Sequence, residues 1–142
     1  MRKCLKIEDN IDEILSIIIR FTKIRKKVLN TNVEQMYNAG FEPKDVPTEE
    51  FSQSINIAIS EHVQSGRLLL FDSENLRFKS NGEFELSLIE DADDRKLFEK
   101  DIELYLDAQS RKLAENQTHK MIAEELMKEK NGVSSELISS WF

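Results

Sequence analysis

Apolar residues in the first third of the chain fall at helical intervals. Ile11, Ile14, Ile18 and Phe21 recur three and four apart, and Arg25, Val28, Asn32 and Gln35 continue that register. The seam is apolar in its first half and polar in its second. It predicts a helix over about 10–37 that needs a partner helix, with the polar seam positions setting register. Asn10 followed by Glu13 reads as a capping box, and Asp9 and Asp12 suit the positive end of the helix dipole.

The pattern then changes twice. After Pro47, Thr48 is a candidate N-cap, and Phe51, Ile55, Ala58 and His62 predict a second helix over about 48–65 that Gly66 stops, although "SINIAIS" also alternates as a strand would. From 67 to 90 the reading is β, with "RLLLF" as one apolar strand and "LRFKSNGEFELSL" as a hairpin. A two-residue Asn-Gly loop would set Lys79 opposite Phe84 and mix the faces. A three-residue loop, Ser80-Asn81-Gly82, pairs Phe78 with Phe84, Arg77 with Glu85 and Leu76 with Leu86, and places Gly82 in the left-handed region.

The last segment starts in the acidic run "EDADD" (90–94), where Asp91 or Asp93 can cap a helix. Leu97, Phe98, Ile102, Leu106, Leu113, Met121 and Met127 mark its apolar stripe to about 130, interrupted by "AENQ" at 114–117. Asn131-Gly132 reads as a break, and "VSSELISSWF", ending in Trp141 and Phe142, as a last short helix or a continuation. The fold class expected is mainly α: long N- and C-terminal helices (about 10–37 with 95–130) paired as an antiparallel coiled-coil-like unit. Residues 1–46 and 91–142 would form the helical domain, and 47–90 a small insert of one helix and a β-hairpin.

Composition narrows the possible roles. Of 142 residues, 39% are hydrophobic and 33% charged, against typical shares of about 45–50% and about 25%. Helices so poor in apolar residues expose much surface to water or partners. A net charge of -7 argues against nucleic acid as a partner, and the basic cluster "KIRKK" (23–27) reads as a solvated or partner-facing helix face. The single cysteine, Cys4, excludes an internal disulfide and a zinc cluster. "ILSIII" (14–19) is far shorter than the roughly 20 apolar residues of a membrane span, and no cleavable leader is apparent.

Candidate chemistry is sparse. His62 and His119 are distant in sequence, and a catalytic role would require both in one pocket with a carboxylate. No phosphate loop, nucleophile elbow or metal-binding helix motif is present, and "EDADD" lacks the ligand alternation and glycine of a calcium loop. No catalytic residue, cofactor, metal or small-molecule substrate is therefore expected. The amides are more informative. Asn32, Gln35, Asn38, Asn116 and Gln117 lie in or near the seams of both long helices, where they can bond across a helix pair or between subunits.

Residues 32–45, "NVEQMYNAGFEPKD", resemble a motif of the bacterial flagellar basal-body rod family, of general form N-I-A-N-A-x-T-P-G-F/Y-K-x-x-D. The match holds without a gap at Asn32, Val33, Gly40, Phe41 and Asp45. Asn38-Ala39 replace its Thr-Pro, and Glu34 and Met36 replace small alanines. "LAENQTHKMIAEELMKE" is similar to that family's M-A-E-N-Q segment, with Glu115, Asn116 and Gln117 in place. The resemblance implies a structural subunit exported without a cleaved signal and assembled in the periplasm. Its partners would be copies of itself, other rod proteins and membrane-ring or export-gate components. Asn32, Gly40, Phe41, Asn116 and Gln117 would serve subunit contacts or turn geometry, with Gly40 at positive φ. A reading of another class is a cytoplasmic helical adaptor or secretion chaperone that binds a partner helix.

Overall fold

The computed structural model describes residues 2–80 and 82–129, with side chains from Ile11 onward. Along these residues run α1 (Arg2–Glu34), β1 (Lys44–Asp45), α2 (Thr48–Ser65), β2 (Leu76–Phe78), β3 (Phe84–Leu86), β4 (Ile89–Glu90), α3 (Ala92–Lys100) and α4 (Ile102–Lys128). The fold is mainly helical, with the two long helices in contact. They run antiparallel: Thr22 meets Asn116, while Asn32, ten residues on, meets Gln109 and Tyr105.

Helix α1 begins well before Asn10, so the capping box predicted at Asn10–Glu13 lies inside it. No glycine or proline stands between Arg2 and Asn10, and one internal asparagine costs a helix only a few tenths of a kcal/mol. The helix ends at Glu34 rather than 37, and bonds such as Asn38 N–H to the Gln35 carbonyl (3.0 Å) tighten it into turns. Helix α2 has the expected bounds, but its N-cap is Pro47, with no side-chain cap bond, and Thr48 is its first residue. Gly66 stops it at φ 73°, donating its N–H to the His62 carbonyl.

Two further expectations need correction, and one feature is new. Residues 67–71 form no strand; Leu68 and Leu70 pack against the core without a ladder partner. The last long helix is two helices, divided at Asp101. That residue is extended (φ −152°, ψ 95°), closes α3 through its N–H to the Leu97 carbonyl, and caps α4 by accepting from Leu104 N–H. A short antiparallel ladder, Lys44 with Glu90 and Asp45 with Ile89, was not foreseen. The expected break at Asn131-Gly132 and the terminal Trp141 and Phe142 lie outside the described residues, as does the Cys4 side chain.

The hairpin has the register that separates its faces: Leu76 with Leu86, Arg77 with Glu85, Phe78 with Phe84. Gly82 sits at φ 82° and its carbonyl accepts from Arg20 Nη1 of α1 (3.1 Å). A Cβ there would collide with the Glu13 carboxylate, so the turn lies hard against α1. Ile14, Leu15, Ile17, Ile18 and Phe21 of α1 share one apolar cluster with Phe51 and Ile55 of α2, Leu76 of β2, and Ala123 and Leu126 of α4. Phe21 and Phe51 stack at 3.7 Å between centroids, and the ring of Phe84 closes over both. Full burial of each large side chain contributes roughly 1.5–3 kcal/mol. The insert 47–90 thus shares its core with the helix pair.

One carboxylate ties the insert together. Glu50, in the first turn of α2, accepts from the Asn75 backbone N–H (2.9 Å), from Asn75 Nδ2 (2.7 Å) and from Ser73 Oγ. The Asn75 and Ser73 bonds hold its pKa below the ordinary 4.5. A depressed carboxyl pKa adds stability above the unfolded value, and that stability is lost as pH falls through the folded one. Glu50→Gln is expected to flatten the fall in unfolding free energy below about pH 4.5, measured by urea titration across pH. An unchanged slope in the variant would mean that the tie contributes nothing.

Candidate functional site: a polar junction between the long helices

Beyond Phe21 the seam of α1 turns polar, yet it stays buried. Arg25 is 7% exposed and Asn32 2%. A buried guanidinium requires a counter-charge, and Asp45 of β1 supplies one: Arg25 Nε and Nη2 each donate to its carboxylate at 3.1 Å. Arg25 Nη1 reaches Glu115 of α4 at 3.4 Å. The planar fork of arginine suits this two-point grip.

On α4, Lys112 gathers three carboxylates. Its Nζ lies 2.6 Å from Asp94, 3.0 Å from Asp91 and 3.4 Å from Asp45. Burial alone would lower its pKa, but the bonds to Asp94 and Asp91 outweigh that and raise it. For Asp91, burial pushes upward, and the Asp94 backbone N–H and Lys112 overcome it, so its pKa falls. Both shifts favour charged groups: the lysine's contribution is lost only at strongly alkaline pH, the aspartate's only in acid. Among the described residues no three His, Cys, Asp or Glu side chains are grouped to hold a metal ion. At this junction the internal cations are Arg25 and Lys112.

Amides continue the junction. Asn32 Nδ2 donates to the Lys44 carbonyl (2.8 Å) and to Gln109 Oε1 (2.9 Å), and Lys44 N–H donates back to Asn32 Oδ1 (3.2 Å). Gln109, wholly buried, passes the chain on by donating to Asp94 (2.9 Å). Tyr105 OH donates to the Asn32 carbonyl (2.8 Å); burial and the charge of Asp94 push its pKa up to about 12. Asn116 donates to the Thr22 carbonyl (2.8 Å).

The residues singled out in the sequence separate into two groups. Asn32, Asp45 and Asn116 are buried in this junction, and Glu115 stands at its edge with a mostly exposed side chain. Phe41 packs edge-on against Phe98 (5.6 Å) after Gly40, which has φ 76°. Gly40 and Gln117 are exposed and Val33 is half-buried. Gln35 and Asn38 bond each other at the surface. Gln109 and Lys112 were missed. The apolar stripe through Leu106, Leu113 and Met121 lies beside the buried line, which runs through Tyr105, Ala108, Gln109, Asn116 and Ala123, and Met121 is 57% exposed. The helical spacing of Tyr105, Gln109, Lys112 and Asn116 was the available signal.

A cavity of about 380 Å³ opens beside Arg25, lined also by Glu49, Ser52, Glu115, Asn116 and His119. His119 stands near the start of α2. His62 sits in the last turn of that helix, roughly 20 Å away along its axis at 1.5 Å per residue, and does not line the cavity. Burial lowers the His62 pKa, and its Nδ1 has no hydrogen-bond partner among the described residues. Two cations, Arg25 and Lys112, offset the two buried carboxylates, Asp45 and Asp94, an arrangement suited to holding helices in register.

Asp45→Ala would leave Arg25 buried without its bidentate partner and should cost about 3–5 kcal/mol in urea unfolding. The double replacement Arg25→Met with Asp45→Leu should cost less than the single one. A loss under about 1 kcal/mol for Asp45→Ala would contradict this account of the junction. In comparisons with protein-family models, curated proteins and solved structures, the chain finds no match.

Proposed function

We propose that this chain is a structural subunit of the bacterial flagellar basal-body rod, in the proximal part of the drive shaft. Rod protein B is the member it most resembles and rod protein C the next. One observation carries the proposal. The two segments that hold the resemblance, about 20–45 and 104–128, meet at a single junction, where Arg25 grips Asp45 with one side of its guanidinium and reaches Glu115 with the other. Long terminal helices locked by amides and ion pairs suit a subunit that joins neighbours through those helices, and exposed apolar residues such as Tyr37, Leu104 and Met121 suit burial on assembly. In this reading the partners are copies of the chain, other rod proteins and the membrane ring or export gate. The subunit is exported without a cleaved signal and works without catalysis, cofactor or nucleic acid. No helix among the described residues is long and apolar enough to cross a membrane.

The test uses Gly40. Nothing lies within 4 Å of the Cβ position there, so a side chain would fit, but φ 76° strains any β-branched residue. Gly40→Val should abolish swimming and remove the chain from purified basal bodies, while the wild-type chain co-purifies with them. Normal swimming of the variant would end this role for Gly40. A wild-type chain that stays soluble with a client protein would instead favour the adaptor reading.

A further inference from the structure

An apolar cavity of about 170 Å³ opens beside α1, lined by Val28, Thr31, Asn32, Phe41 and Leu88, with Lys27, Lys44 and Glu42 at its edge; Glu42 is already paired with Arg95 (3.3 Å). It is smaller than the roughly 300–1,000 Å³ of sites for drug-sized ligands. One or two aliphatic side chains would fill it. Leu88 is 47% exposed beside it, an apolar surface that water covers poorly. Lys27 and Lys23, one helical turn apart, are both exposed and make no ion pair among the described residues. Lys44 carries only a long pair to Glu90 (3.7 Å). The socket is therefore apolar inside and basic along the α1 side.

The chain carries the complementary feature. Leu104, in the first turn of α4, is 50% exposed. Around it stand Asp101, Glu103 and Asp107, all exposed, against one lysine, Lys100. Neither Glu103 nor Asp107 has an ion-pair partner among the described residues. An aliphatic knob in an acidic collar matches an apolar socket with a basic edge in both shape and sign.

We propose that the Leu104 knob of one copy seats in the Val28–Phe41–Leu88 socket of a second copy, with Asp107 and Glu103 facing Lys27 and Lys23. Two different patches meet, so the contact is head-to-tail, and repeating it gives a ring or an open helical array. The inference rests on the rod reading for its setting, but it concerns one defined contact and can fail alone.

Sedimentation of the purified full chain over a range of concentrations tests it, with far-UV circular dichroism confirming the fold of each variant. The wild-type chain should associate as concentration rises. Leu104→Ser and Lys27→Glu should each weaken association at least tenfold, and so should Asp107→Lys. Lys27→Glu mixed with Asp107→Lys restores opposite charges at every contact, so the mixture should associate where each variant alone does not. A chain that stays monomeric throughout overturns the proposal, as does association that none of these substitutions weakens, or a mixture no stronger than its components. In the last two cases basal-body co-purification can still hold, which separates failure of this contact from failure of the rod reading.

Discussion

Taking a carboxylate out of water costs several kcal/mol, and among the described residues this happens at Asp45 and Asp94, 4% and 3% exposed. Neither is tolerable without a cation beside it. Asp45 sits on a two-residue strand whose own cation, Lys44, pairs instead with Glu90, and Asp94 lies in the first turn of a nine-residue helix. Arg25 comes from α1 and Lys112 from α4. The neutralisation of two buried acids thus dictates where both long helices, the short ladder and α3 must lie. Asn32 and Gln109 then fill the remaining donor and acceptor positions.

The helix pair is consequently built from two unlike halves. Toward the start of α1, Ile14 to Phe21 meet Ala123 and Leu126 in an apolar cluster that supplies most of the stabilisation. Toward its end, Arg25 to Asn32 meet Tyr105 to Asn116 through directed bonds whose net worth is modest, because desolvation offsets attraction. The apolar half would tolerate a slide of one helical turn. The polar half would not, since a slide would leave Arg25, Gln109 and Asp94 buried without partners. Stability and register are assigned to different ends of one interface.

How much of this could be read from the sequence follows from the kind of signal each element carries. The hairpin register was accessible because a wrong loop length mixes apolar and charged faces, which alternation exposes at once. Helix α2 was accessible because Pro47 and Gly66 bracket it. The break at Asp101 was hidden, since the apolar spacing crosses it without interruption and only a side-chain cap marks it. The junction was half-visible. Asn32 and Asn116 stood out as amides in helical seams, but Gln109 and Lys112 did not, because their burial depends on partners from β1 and α3. A search confined to apolar periodicity followed a stripe one position away from the true contact line.

Thr22 and Asn116 are 94 residues apart in the chain, and Arg25 and Glu115 are 90 apart. Contacts this distant must close a long loop before they return any free energy, which slows folding. The order in which the chain appears matters as well. When it emerges N-terminus first from a ribosome or any narrow passage, α1 presents Arg25 and its isoleucines long before α4 arrives to cover them. The core cannot be completed by the first hundred residues alone. Closure of the core and of the junction therefore waits for α4.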